Sequence, residues 1–326
     1  ILGWEKESQV AVSGNRITGA HDLASPTELD LSGHWVIPGF VNAHTHCTLS
    51  FFRDLGHGRE NMIESFLFPA EAHLDEPLIE SLALPYVADG LRSGVTTFGD
   101  HYYYVASVGR ALERLGARGV IGETVADLGS AFPGKERWNL WQEQLKEWPF
   151  SERITPSIAP HACDTVSPAF LTELAAFAQA NGLPLHMHMS QTGGERQRVL
   201  DREGVTPVQQ AHAAGALTPE TLAVHLVSAD PNDLKLLQEA GTHVGYCPAS
   251  QILYEDLAPI AQFLAHDLPI ALATDCAASN DTADMFQEMR LSYLLARDRK
   301  CDVDPRTVFS WATIGGAAAL GLKDHC

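Results

Sequence analysis

The sequence predicts a (β/α)8 barrel preceded by a small β element, and three observations carry that expectation. From residue 39 onward, short β-branched runs alternate with longer stretches of helical period, the pattern of consecutive βα units around a parallel sheet. Eight such runs can be read before the chain ends, the strand number of a closed barrel. No G-x-G-x-x-G turn follows an early run, so the doubly wound alternative lacks its phosphate-cradling glycines.

Residues 1–38 read as short strands with turns between them: Gln9 to Val12, a break at Ser13-Gly14-Asn15, then Arg16 to Thr18. Residues 39–326 make up the expected barrel. Its strands are expected at Val36 to His46, Val95 to Gly99, Gly119 to Val125, Ile154 to Pro160, Leu183 to Met189, Leu222 to Val227, His243 to Tyr246 and Ile270 to Asp275. Between them, Pro168 to Asn181 shows how a helix is encoded. Phe170, Leu171, Leu174, Phe177 and Ala178 recur at helical spacing, and Asn181-Gly182 closes the run.

The 326 residues suffice for one large domain and a smaller piece, and 45% hydrophobic with 19% charged residues is a globular composition. The 22 Lys+Arg against 41 Asp+Glu give a net charge of -19. Such a surface repels phosphate backbones and anionic membranes, which argues against nucleic-acid polymers and membranes as partners and favours neutral or cationic small ligands. No apolar run approaches the ~18 residues that span a bilayer, and Ile1-Leu2-Gly3-Trp4-Glu5-Lys6 lacks a signal-peptide pattern. Six dispersed cysteines without a C-x-x-C point to a reducing cytoplasm rather than a disulfide framework or thiolate zinc site. The chain starts without Met and stops just after a helix-like run, so either terminus is expected to be incomplete. Homo-oligomerisation is left open.

Four strand ends carry titratable residues. Asn42-Ala43-His44-Thr45-His46 closes the first strand, and alternation places His44 and His46 on one face, where two imidazoles can chelate one metal. Leu185-His186-Met187-His188-Met189 repeats the spacing, with His186 expected one layer deeper and His188 at the rim. His225 ends Leu222-Ala223-Val224-His225, and Asp275 ends Ala271-Leu272-Ala273-Thr274-Asp275. All four ends meet at the C-terminal face of a barrel, where barrel active sites lie. His44, His46, His188, His225 and Asp275 form an N/O set suited to Zn²⁺ or Fe²⁺, with one imidazole and a carboxylate to spare for proton transfer. Tyr102-Tyr103-Tyr104, Asp100 and His101 follow the second strand and could line the pocket, whereas Trp138 and Trp141 read as helix packing and Cys47 and Cys276 as bystanders.

These residues carry a resemblance. Val36-Ile37-Pro38-Gly39-Phe40-Val41-Asn42-Ala43-His44-Thr45-His46 is similar to the opening signature of the amidohydrolase superfamily. Ala273-Thr274-Asp275-Cys276-Ala277-Ala278-Ser279-Asn280, with Met285 to Arg290, resembles the closing signature of its aminohydrolase branch, which holds nucleoside and nucleobase deaminases and triazine chlorohydrolases. The likeness runs from about residue 9 to residue 326 and includes Pro160-His161, Cys247-Pro248-Ala249-Ser250 and an expected helix from Gly315 to Leu322. It implies that residues 1–38 are part of a β-sandwich, incomplete here. It implies that His44, His46, His188 and Asp275 hold one divalent ion, zinc first and iron second, that His225 with Asp275 moves the proton of the attacking water, and that His161 contacts substrate. The two-metal branch uses a lysine on the fourth strand; Arg153 to His161 contains none.

Two departures bear on mechanism. Deaminases of this family read H-x-x-E where this chain reads His188-Met189-Ser190-Gln191, and an amide has no proton that titrates near neutrality. Glu195, four residues on, could stand in only if its loop folds back. Glu123 ends the third strand where some members place an arginine, so it is expected to favour a cationic or amino-bearing ligand. The expected substrate binders are thus His161, Gln191, Glu123 and His101. The expected function is metal-assisted deamination of a nitrogen heterocycle such as a purine, adenosine derivative or pterin. The alternatives are displacement of chloride or another leaving group from a triazine-like ring, and a silent barrel that binds a heterocycle without turning it over.

Overall fold

The computed structural model describes residues 9–14, 16–18, 27–56, 62–129, 134–254 and 256–322. The chain divides into two compact units, Ile1–Pro38 and Gly39–Cys326. In the first, β1 (Ala11–Ser13) and β2 (Arg16–Thr18) pair antiparallel with Val12 opposite Ile17.

The second unit is a (β/α)8 barrel. Its strands are β3 (Phe40–Thr45), β4 (Val95–Tyr102), β5 (Arg118–Val125), β6 (Ile154–Pro160), β7 (Leu185–Met189), β8 (Thr221–His225), β9 (His243–Tyr246) and β10 (Ile270–Leu272). Each pairs in parallel with its neighbour in the chain. A parallel bridge between Thr45 and Asp275 joins the first strand to the segment after the last.

Several strand ends differ from the sequence expectation. β3 starts at Phe40 rather than Val36, since Pro38 has no N–H to give to a ladder. β4 continues to Tyr102 and carries Asp100 and His101 within the strand. β8 stops at His225, where His225 and Leu226 adopt left-handed φ values of 79° and 54°, and β10 stops at Leu272, ahead of Asp275, which is left-handed at φ 59°. Non-glycine residues held there cost about 1–3 kcal/mol each and persist only where their surroundings fix them.

Alternation within buried strands sorts the two faces. Val41 and Ala43 join an apolar cluster with Ala317, Leu320 and Leu322, which turns Asn42 and His44 the other way. At Gly99 a β-carbon would lie 2.3 Å from the Ala43 carbonyl oxygen, so glycine lets β4 close on β3 beside His44. The helix Pro168–Asn181 has the expected bounds, with Ser167 accepting from the Phe170 N–H and Gly182 closing it at φ 62°. The expected Gly315 to Leu322 helix is instead a π-type turn, Trp311–Gly315, followed by a short helix, Gly316–Ala319. No helix among the described residues is long and apolar enough to cross a membrane.

Candidate active site

Three imidazoles are each engaged at Nδ1. His46 donates from Nδ1 to the His101 carbonyl, and His188 donates from Nδ1 to the His161 carbonyl at 2.9 Å. His44 Nδ1 lies 2.7 Å from His186 Nε2. A proton held on Nδ1 leaves the Nε2 lone pair available for a metal. The Nε2 atoms of His46 and His188 are 3.2 Å apart, and Asp275 Oδ1 lies 3.7 Å from His44 Nε2 and 3.6 Å from His46 Nε2. Tetrahedral ligands about 2.0–2.2 Å from an ion sit roughly 3.3–3.6 Å from one another, so this spacing fits a divalent metal. His44 Nε2 is also buried without a hydrogen-bond partner. Burial holds His44 and His188 well below the usual imidazole range, in the neutral form that can ligate.

Asp275 is wired at both oxygens. While Oδ1 faces the histidines, Oδ2 accepts from Ser250 Oγ at 2.7 Å and Ser279 Oγ at 3.1 Å, and the Asp275 N–H donates to the His44 carbonyl. His225 is fully buried and stacks on His188 with ring centroids 5.6 Å apart. It brings a ring nitrogen within 4.8 Å of the ligating atoms of His44 and His188, and burial pushes it down to about 4. His46, His101 and His188 form another close triplet, but both ring nitrogens of His101 are engaged, with the Pro160 carbonyl and with Thr124 Oγ1.

A cavity of about 270 Å³ opens on this cluster, lined on its polar side by His46, His161, His188, Gln191, Asp275 and Ser279. Leu49, Met62, Ile63, Leu67 and Phe68 supply an apolar wall, and Tyr102, Tyr103 and Glu71 border it. The structure thus brings together His44, His46, His188, His225 and Asp275, and places His161, His101 and Gln191 at the same cavity. Residues 57–61 and 130–133, within the loops on either side of β4 and β5, lie outside the described residues.

Glu123 is a correction. It does not line this cavity; its carboxylate accepts from the Tyr104 and Val105 N–H groups at the start of the helix Val105–Leu115 and pairs with Arg137, whose guanidinium lies 3.9 Å from the Tyr104 ring centre. Helix-end N–H groups and a guanidinium claim the carboxylate, so it is unsuited to recognising a cationic ligand. Asp100 also faces away, accepting from Thr45 Oγ1 and the Cys47 N–H on either side of His46. Tyr102 and Tyr103 reach the cavity whereas Tyr104 does not. Glu195 is occupied by the N–H groups of Ser190 and Gln191.

Sequence reasoning missed Glu71, Ser250 and Ser279 as site residues. Glu71 accepts from Tyr102 Oη at 2.8 Å and is pushed up to about 7 by burial. It sits on a four-residue helix, Phe68–Glu71, too short for periodicity to flag. The two serines lie inside the segments that carry the family resemblance, yet only their position against Asp275 gives them a role.

The amidohydrolase family model matches residues 35–326. The chain belongs to the amidohydrolase family. Among its relatives, the 5'-deoxyadenosine deaminase of Methanothermobacter thermautotrophicus is 34% identical over 332 residues, covering 98% of this chain and 78% of that protein. The 5-methylthioadenosine/S-adenosylhomocysteine deaminase of Syntrophobacter fumaroxidans is 34% identical over 322 residues, covering 96% and 74%. The solved adenosine deaminase of Xanthomonas campestris, which carries bound zinc, superposes with a TM-score of 0.82 at 27% identity, over 88% of this chain and 67% of that one.

Proposed function

We propose that this amidohydrolase deaminates an adenosine derivative: water adds at the amino-bearing ring carbon, the C–N bond breaks, and the products are the oxo-purine and ammonia. The observation that carries the reading is the convergence of three imidazole Nε2 atoms and Asp275 Oδ1 at the floor of a cleft with an apolar and aromatic wall. The deaminase names of its relatives support the adenosine-type ring.

One divalent ion, zinc first and iron second, would be held by His44, His46, His188 and Asp275 and would supply Lewis-acid activation of the attacking water. Asp275 shares in accepting the water's proton, while Ser250 and Ser279 fix its carboxylate through Oδ2. His225, neutral in its burial, is the second proton acceptor. His161 and Gln191 border the ring-binding space, and Gln191 can orient a ring nitrogen by hydrogen bonding but cannot carry a proton to it. That restriction favours a second reading, displacement of chloride from a triazine-like ring, whose leaving group needs no proton.

The experiment measures ammonia release from adenosine, 5'-deoxyadenosine and methylthioadenosine and chloride release from a chlorotriazine, with metal content read on the same sample. Ammonia without chloride supports deamination, and chloride without ammonia overturns it. A metal-loaded sample that releases neither leaves the silent barrel. For a deaminase, Gln191→Glu is expected to raise kcat by ~10²–10⁴, the effect of one general acid–base group; a fall would favour the triazine reading.

A further inference from the structure

We infer that His186, which no step of the reaction uses, is the positioning residue that fixes the proton of His44 and so sets its ligand atom. The inference rests on the proposed function only in taking His44 as a metal ligand.

His186 and His188 stand two residues apart on β7, and His186 is 1% exposed. Its Nε2 lies 2.7 Å from His44 Nδ1, so one proton sits between two nitrogens. There are two arrangements. If His186 donates, a neutral His44 carries its own proton on Nε2, which blocks the atom facing Asp275 Oδ1. If His44 donates, its Nε2 lone pair is exposed to the metal position and His186 must carry its proton on Nδ1. That Nδ1 is buried and has no hydrogen-bond partner. Only the second arrangement is compatible with ligation.

The other two histidines differ. His46 and His188 rest their Nδ1–H groups on main-chain carbonyls, which can only accept and therefore dictate the tautomer. His44 instead rests on a side chain that can play either part. His186 thus acts at the metal only through His44, in the place usually taken by a carboxylate or carbonyl. Three strands meet in this contact: His44 lies near the end of β3, His186 lies within β7, and the His101 ring on β4 packs 5.4 Å from His186.

The test is zinc affinity, read by competition with a chelator of known strength on the whole protein. His186→Phe keeps a planar ring but cannot accept, and zinc affinity is expected to fall ~10–100-fold, the usual effect of losing an outer-shell partner. His186→Gln, which offers an acceptor near the lost Nε2, is expected to recover most of it. Equal affinity in wild type and the Phe variant overturns the inference. So does an equal fall in both variants, which would make His186 a packing residue. If the Phe variant does not fold, ¹⁵N-imidazole NMR of the zinc-loaded wild type decides: a proton on His186 Nδ1 supports the assignment, and one on Nε2 overturns it. A wild type that binds no zinc sinks the metal reading of the whole site, which separates that failure from this one.

Discussion

The part of the cleft that carries His46, His188 and Asp275 grows out of barrel strands, whereas the part that carries Leu49, Phe68 and Glu71 is made of the short helical turns Cys47–Phe52, Ile63–Leu67 and Phe68–Glu71. On the strand-borne side each polar group is held at its far atom by a neighbouring element: His46 by the His101 carbonyl, His188 by the His161 carbonyl, Asp275 by Ser250 and Ser279 on the short helices Pro248–Tyr254 and Ala277–Asn280. On the turn-borne side the cavity wall is mostly apolar, and Glu71 pairs with Tyr102. On the proposed function the difference follows from what each side would do. Ligand and proton-transfer geometry tolerates errors of a few tenths of an ångström, while shape recognition of a heterocycle tolerates more.

The largest expected effects fall on the strand-borne side. His44→Ala, His46→Ala and His188→Ala are each expected to lose bound zinc together with activity, checked by metal analysis beside turnover; a stoichiometric ion in all three variants would break the assignment. His225→Ala is expected to keep its zinc and lose ~10²–10⁴ in kcat. A metal-free His225→Ala protein would make that residue a ligand. Next in size, Ser250→Ala combined with Ser279→Ala frees Asp275 Oδ2 and is expected to weaken zinc binding by ~10–100-fold, as measured by chelator competition. Unchanged affinity would show that the backbone alone orients Asp275.

On the turn-borne side, Phe68→Ala removes part of a wall without touching a reacting atom. KM is expected to rise several-fold while kcat stays nearly constant, the signature of lost uniform binding. A fall in kcat with constant KM would mean that this wall helps to position the ring for attack.

The smallest effect concerns a carboxyl behind the strand-borne side. Glu288 is fully buried, accepts from the Ala249 N–H and from Asn280 Nδ2, and is pushed up to about 8 by burial. Between the ordinary carboxylate range and pH 8 the folded form binds a proton that the unfolded form has released. Its contribution to stability is therefore complete below about pH 4 and is lost as pH rises through 8. Glu288→Gln is expected to flatten the dependence of denaturation midpoint on pH between about 5 and 8; an unchanged slope would assign the dependence to other groups.

The same division decides what could be read from sequence. His44, His46, His188, His225 and Asp275 were legible because strand period and barrel topology together aim strand-end residues at one rim. Glu123 sits at such an end too, yet it serves the helix Val105–Leu115 and Arg137, and alternation cannot tell a cap from a cleft residue. Leu49, Phe68 and Glu71 escaped because turns of four to six residues carry no period. The early stop of β8 escaped because nothing in His225 announces a left-handed backbone.

Those left-handed residues bear on how the protein would answer to heat. Ser190 shares the conformation at φ 51°, so three of the strands that carry the site, β7, β8 and β10, are followed or ended by residues of this kind. Selection for durability would be drawn to Ser190, where glycine adopts a positive φ without steric conflict and no apolar side chain is lost; at Leu226, fully buried, the cavity left by a glycine would outweigh the strain relieved. Ser190 and Leu226 are also the immediate anchors of this rim: Leu226 donates to the Met189 carbonyl, and the Ser190 carbonyl accepts from Ser228. A glycine at Ser190 would relax the chain while loosening the turn that aims His188. A variant of this barrel chosen only for surviving high temperature would therefore tend to drift toward slower turnover, and the drift would begin in its backbone rather than in any side chain that meets the substrate.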